Sequence, residues 1–236
     1  MKEIPITYDK KDISIYVHEP VLTRYGRLPD YISDTINDTK TFFEIEFLEM
    51  LKEKHKNIGT FVDIGANIGN HSIYAHNFIN AKEILCFEPD ILNYEILKVN
   101  VGKYATCYNM GLSDKETEME LVQEFIELAD KRGTYMANQG GNRLVKGEGV
   151  KVKTLDSFNI TSCNIMKVDV EGMEPEVLTG AMETIRKYKP VIYVEALNVR
   201  SLMSIMKVLH PLNYVMTMYQ DFSSPMACLE HGLKVT

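Results

Sequence analysis

Thr60-Phe61-Val62-Asp63-Ile64-Gly65-Ala66-Asn67-Ile68-Gly69-Asn70-His71-Ser72 reads as a short apolar run, a turn of small residues and the start of a helix. That order lets an α/β sheet carry backbone N–H groups up to a nucleotide-like ligand. Gly65 and Gly69 allow a tight turn and a close approach, and Asn67 tolerates a left-handed conformation where a third glycine would otherwise stand. Asp63 closes the strand as an acid.

A glycine pattern alone also fits ordinary turns, so its neighbours decide its meaning. Glu83-Ile84-Leu85-Cys86-Phe87-Glu88-Pro89-Asp90 reads as a second buried strand ending in Glu88, about twenty residues beyond the turn, where a carboxylate can accept both hydroxyls of a ribose. Thr106 to Asp114 is a third strand with a polar end. Asn164-Ile165-Met166-Lys167-Val168-Asp169-Val170-Glu171-Gly172 is a fourth, ending in acids, and Val191 to Ala196 a fifth, with Glu195 at its carboxyl end. Ligands of open α/β sheets bind outside the carboxyl ends of the strands, which here are polar or acidic in succession.

VDIGANIGNHS, CFEP, GLSD, TLDSF and KVDVEGMEPEVLTGA, in this order and spacing, resemble the FkbM family of S-adenosylmethionine-dependent methyltransferases from about Asp34 to about Glu195. KVDVEG with VLTGA is the more specific part. The resemblance implies a Rossmann-like class I methyltransferase fold, a mostly parallel seven-stranded sheet with helices on both faces. It also implies methylation of an oxygen, often on a sugar or a polyketide-type product, and makes Lys167, Asp169 and Glu171 the signature positions.

With 236 residues and 45% hydrophobic content, the chain has material for one sizeable core. The expected division is an N-terminal extension over 1–40, packed on a methyltransferase domain over 41–236. A formal net charge of -7 argues against a nucleic-acid partner, whose backbone calls for a basic face. Cys86, Cys107, Cys163 and Cys228 form no C-x-x-C pair and read as buried free thiols of a reducing compartment. The N-terminus lacks the apolar centre of a secretory signal, and no apolar run is long enough to span a bilayer, so a cytoplasmic location is expected.

Alternation over Ile4 to Tyr8 and Ile13 to Val17 predicts a β-hairpin, Pro20 to Lys40 reads as loop with room for one helical turn, and Phe43, Phe47, Leu48 and Leu51 put an apolar stripe on a helix over 41–54. Glu44 near that helix start suits the helix dipole and is kept as an active-site candidate. Met119 to Val122 reads as a strand, Glu124 to Lys131 as a short helix, and Asn138 to Arg143 as a glycine-rich loop expected to form part of the acceptor site or a lid. A helix opened by Pro175 runs to Lys187, and Tyr214 to Tyr219 pairs with Ala227 to Glu230.

Each part of S-adenosylmethionine asks for a different group. Glu88, stiffened by Pro89, suits the ribose diol, and Leu112, Ser113 and Asp114 suit adenine. The turn residues Gly65, Ala66, Asn67, Gly69 and Asn70, with His71 and Ser72, suit the carboxylate of the methionine tail, and Asp63 or Asp169 its ammonium. Asp169, Glu171 and Glu195 are candidates for the general base that removes the acceptor proton, with Asp169 or Glu171 preferred. Acids at three strand ends would admit a divalent metal, but no His-rich set compels one. The expected acceptor is a sugar hydroxyl of a glycan or glycosylated metabolite, with a polyketide-type hydroxyl second and an amine third. A glycosyltransferase is the protein it could work beside. Two other classes stay open: a nucleotide-cofactor dehydrogenase, which usually wants a glycine at position 67, and a non-catalytic binding module on the same fold.

Overall fold

The computed structural model describes residues 1–23, 26–28, 30–127, 135–221 and 224–232. Strands β1 (Lys2–Tyr8) and β2 (Lys11–Val17) form the expected hairpin, turning at Asp9 and Lys10, both at positive φ as a two-residue turn of this hand requires. Its inward Ile4, Ile6, Ile15 and Val17 are buried in the core shared with the main sheet. The segment read as loop over 20–40 instead pairs β3 (Val21–Thr23) with β4 (Gly26–Leu28) and then forms helix α1 (Tyr31–Thr39). Its Asp, Asn and Thr residues face outward and mask a four-residue apolar repeat, Ile32 and Ile36, while Asp30 caps the helix by accepting from Ser33 N. Helix α2 (Ile45–Lys54) starts later than its apolar stripe suggests, because Glu44 takes φ 55° and frees Phe43 from the helix.

The main sheet uses β5 (Thr60–Ile64), β6 (Glu83–Phe87) and β7 (Thr106–Tyr108), joined by α3 (Asn70–Tyr74), which continues as a π-helical turn over Ala75–Ile79, and by α4 (Ile91–Val101). The chain then leaves for a second sheet of β8 (Gly111–Leu112), β9 (Thr117–Glu127), β10 (Tyr135–Lys146) and β11 (Val150–Lys153), ordered β10-β9-β11-β8. Two expectations fail here. Glu124 to Glu127 continue β9 rather than a helix, residues 128–131 lying outside the described set. The run Asn138 to Arg143 is no free loop but an irregularity inside β10, where the register against β9 shifts; its two glycines permit the bulge while the flanking residues keep pairing.

The chain returns through β12 (Ile165–Val168), α5 (Glu174–Thr179), α6 (Met182–Tyr188), β13 (Val191–Glu195), α7 (Val199–Leu209), β14 (Tyr214–Asp221) and β15 (Pro225–His231). The single helix expected over 175–187 is broken at Gly180, where a Cβ would stand 1.9 Å from Ser113 O; the close approach of the two backbones is what divides it.

The seven strands are ordered β14-β15-β13-β12-β5-β6-β7, with β15 antiparallel to both neighbours. Strand periodicity sorts the side chains onto two faces. Phe61, Ile84, Cys86, Ile165 and Tyr193 join one core with α2, α3 and α4, whereas Val62, Leu85, Met166, Ile192 and Val194 join the other with α5, α6 and α7. By the same alternation Asp63, Lys167 and Glu195 project to the first face, and Lys167 sits in register beside Asp63. The chain runs outward from β5 to β7 and then recrosses to β12, so its path reverses between β5 and β12. Crevices form at such a reversal.

Candidate active site

A cavity opens at the carboxyl ends of β5, β6 and β12. Its floor is the glycine turn. Gly65 has φ 76°, and a Cβ there would stand 1.8 Å from Asp169 O, so only glycine lets β5 and β12 end side by side. Asn67 takes φ 50°, the left-handed conformation expected of it, and its N–H donates to Glu88 Oε2 over 2.8 Å. Asp90 N–H donates to the other oxygen, Glu88 Oε1, over 2.9 Å. The Glu88 carboxyl is therefore fixed at the cavity wall by the turn on one side and the α4 cap on the other. Burial pushes it up to about 7, against the pull of these two N–H groups.

Beside Glu88 the wall becomes apolar, with Phe87, Met110 and Leu112 from the sheet ends and Leu144 from β10. Gly140 and Asn142, in the irregular stretch of β10, complete that side, and Asn142 Nδ2 donates to Asp90 Oδ2 over 2.8 Å. The opposite side comes from the N-terminal part. Phe43 N donates to Asn70 Oδ1 and Asn70 Nδ2 to Phe43 O, a reciprocal pair that ties this segment to the start of α3. Glu44 Oε1 accepts from Ser224 Oγ over 2.6 Å, and Glu44 Oε2 lies 3.0 Å from His71 Nε2 without the alignment of a straight hydrogen bond. Burial works to raise the Glu44 carboxyl, but the His71 ring, the Ser224 hydroxyl and the Lys167 ammonium together hold it below its ordinary value.

Lys167 is buried at the centre of the acids. Its Nζ donates to Gly65 O over 2.9 Å and lies 3.2 Å from Asp169 Oδ2 and 3.6 Å from Asp63 Oδ1. Burial alone would lower its pKa; Asp169, Asp63 and Glu44 outweigh it and hold the ammonium well above its usual range. Glu171 follows in the left-handed conformation at φ 56°, and Glu174 fastens this loop by accepting from Val170 N and Gly172 N.

The residues expected from the sequence divide into groups. Gly65, Ala66, Asn67, Asn70, His71, Glu88, Pro89, Leu112, Lys167, Asp169 and Glu171 line the cavity. Asp63 and Ser72 do not: Ser72 Oγ donates to Asp63 Oδ2 over 2.6 Å and both are fully buried beneath the turn. Gly69, at φ 90°, packs against Leu97 and Val101 of α4. Ser113 and Asp114 line a neighbouring depression, since the Ser113 carbonyl is drawn against Gly180. Glu195 stands behind Asp169 and Glu171 with a carboxylate oxygen near theirs. Gly140 and Asn142 come from the glycine-rich run expected at this rim, whereas Ile32, Phe43, Met110, Leu144 and Met173 were not anticipated in the cavity. The sequence offered a signal only for Phe43, next to the candidate Glu44; the others come from elements whose approach depends on tertiary packing.

A reversing sheet of this strand order, with a glycine turn after its first strand and an acid after its second, defines the Rossmann-like methyltransferase fold. The chain belongs to the FkbM methyltransferase family: the Methyltransferase FkbM domain matches residues 63–216. It is similar to the hexuronic acid methyltransferase AglP of Haloferax volcanii, 25% identical over 152 residues that cover 63% of this chain and 61% of that one. It is also similar to the AMB antimetabolite synthetase AmbE of Pseudomonas aeruginosa, 25% identical over 157 residues, 50% of this chain but 7% of that far longer one. In shape it resembles the crystal structure of Methyltransferase FkbM from Methylobacillus flagellatus, with a TM-score of 0.51 at 16% identity over 75% of this chain and 44% of that chain, a likeness of fold.

Proposed function

We propose that the protein is an O-methyltransferase that uses S-adenosylmethionine to methylate a sugar hydroxyl in a glycan or glycosylated metabolite. The observation that carries the donor assignment is Glu88. It is a buried carboxyl held at the cavity wall by Asn67 N and Asp90 N, one turn from the glycine floor and beside the apolar slot of Phe87, Met110, Leu112 and Leu144. That arrangement fits a ribose diol next to an adenine. Asn67, in place of a second glycine, and the acids around Lys167 suit a cationic donor better than a dinucleotide.

The donor supplies an electrophilic methyl group, and the chain's residues have to orient the acceptor and take its proton. Asp169 and Glu171 line the cavity beside the glycine turn, so one of them receives the hydroxyl proton. Lys167, 3.2 Å from Asp169, keeps that carboxylate in place. Support for a sugar comes from the likeness to AglP, which is named for a hexuronic acid.

Calorimetric titration with S-adenosylmethionine and with NADH, on the protein and on Glu88→Ala, tests the donor. Binding of the first that is lost in the variant, followed by labelled methyl uptake into uronic acid or neutral sugar acceptors, is the expected result. Binding of NADH alone would overturn it.

A further inference from the structure

We infer that Asp169, Glu171 and Glu195 form a site for one hard divalent cation of the Mg²⁺ or Mn²⁺ kind, on the acceptor side of the cavity. Its role at the acceptor rests on the methyltransferase reading above; the binding itself does not. Strands β12 and β13 are parallel neighbours with Val168 beside Val194, so the next residues along, Asp169 and Glu195, end the two strands side by side. Glu171 returns to them because its left-handed backbone folds the loop back. One carboxylate oxygen of each lies within 4.8 Å of the others. Around a cation with bonds of about 2.1 Å, cis oxygens are about 3 Å apart and trans oxygens about 4.2 Å. Small side-chain movements close the set.

Acids at strand ends are common without a metal, and it is Glu195 that points to a ligand. The residue is 4% exposed, and its Oε2 finds no hydrogen-bond donor among the described residues. A carboxylate buried without a partner is costly, and native proteins leave few such groups. Lys167 does not fill the need: its ammonium is engaged by Gly65 O, Asp169 and Asp63. The donor set is oxygen only, without histidine or cysteine, and so selects Mg²⁺ or Mn²⁺ over zinc. Three protein oxygens leave positions in an octahedral shell for water and for acceptor hydroxyls, which a cation there would polarise.

The test uses the full chain, stripped with EDTA and desalted, and titrated with MnCl₂ by electron paramagnetic resonance. One site is expected, displaced by excess MgCl₂, together with a rise in Tm on adding Mn²⁺. Glu195→Gln should weaken Mn²⁺ at least tenfold and remove that rise while still binding S-adenosylmethionine; Glu171→Gln, nearer the rim, is the second variant should the first not fold. The exposed acid variant Glu183→Gln should bind Mn²⁺ like the wild type. No Mn²⁺ bound by the wild type, or Mn²⁺ bound equally by the Glu195 and Glu171 variants, would overturn the site. Because Mn²⁺ is read without donor or acceptor, failure of the methyltransferase reading gives a different result: Mn²⁺ bound and S-adenosylmethionine not.

Discussion

Asn142 Nδ2 donates to Asp90 Oδ2 over 2.8 Å, joining the bulged strand β10 to the residue that both caps α4 and holds Glu88. The second sheet, which also lines the proposed donor site with Leu112 and Leu144, is thereby tied to the support of Glu88. Asn142→Ala removes this hydrogen bond and leaves the Asp90 cap intact. A hydrogen bond to a charged group contributes about 1.5–3 kcal/mol to stability, so Tm should fall by several degrees, and with the support of Glu88 loosened the Kd for S-adenosylmethionine should rise on the order of tenfold. Calorimetry and a thermal melt read the two quantities; a large fall in Tm with donor affinity retained would assign Asn142 a purely structural role.

With Glu88 in the proposed donor site, donor binding should depend on pH. Its folded carboxyl sits at about 7, raised by burial, so the free protein carries it largely protonated at pH 6 and ionised at pH 8. A ribose diol offers two donors and prefers the ionised form. Donor affinity should rise between pH 6 and pH 8 and then level, and Glu88→Gln should abolish that dependence. Stability runs the other way. A raised acid binds its proton more tightly folded than unfolded, so its contribution falls as pH climbs from about 4.5 through about 7, by on the order of 3 kcal/mol. Thermal melts of the free protein across that window check the sign.

The sheet was legible because its strands carry continuous apolar runs, and the carboxyl ends of those runs are marked by Gly65, Glu88, Asp169 and Glu195. Buried parallel strands leave that signature. Helix α1 was legible only as a single turn, since two isoleucines four residues apart are easily hidden among Asp, Asn and Thr. Nor was the role of Asp63. An acid at a strand end reads as a ligand group, and only the register that sets it beside Lys167 turns it inward. The bulge in β10 misled for a related reason: Gly140 and Gly141 read as loop, and only pairing with β9, distant in neither sequence nor space, keeps the chain extended there.

Gly65 and Asn67 both have positive φ, at 76° and 50°, but substitution should separate them. Gly65→Ala places a methyl 1.8 Å from Asp169 O, a backbone atom that cannot move without parting β5 from β12. A loss of several kcal/mol, or failure to fold, is expected. Asn67→Gly relieves left-handed strain at a modest entropic cost and should change stability by less than about 1 kcal/mol, with donor binding kept because Asn67 contacts Glu88 through its backbone N–H. Urea unfolding of both variants decides; equal losses would mean that φ alone, and not the contact with β12, governs the turn.

Lys167 is the cation on which the buried acids depend, and its removal should expose that dependence. Lys167→Met leaves Asp63 wholly buried with, among the described residues, the Ser72 hydroxyl as its hydrogen-bond partner, and takes the ammonium from Asp169. Breaking a buried pair from one side costs about 3–5 kcal/mol, because the remaining charge stays desolvated. Adding Asp63→Asn to that variant removes the stranded charge and should recover a good part of the loss, a coupling that a double-mutant cycle in urea measures. The pH dependence is constrained too. The ammonium is held above its usual range, so its stabilisation is present below the unfolded lysine value of about 10.4 and is lost only as pH rises through the higher folded value. Wild type and Lys167→Met should therefore differ by a constant amount of Lys167-derived stability from pH 7 to pH 9. If Asp63→Asn fails to rescue the variant, the lysine contributes through packing rather than through charge.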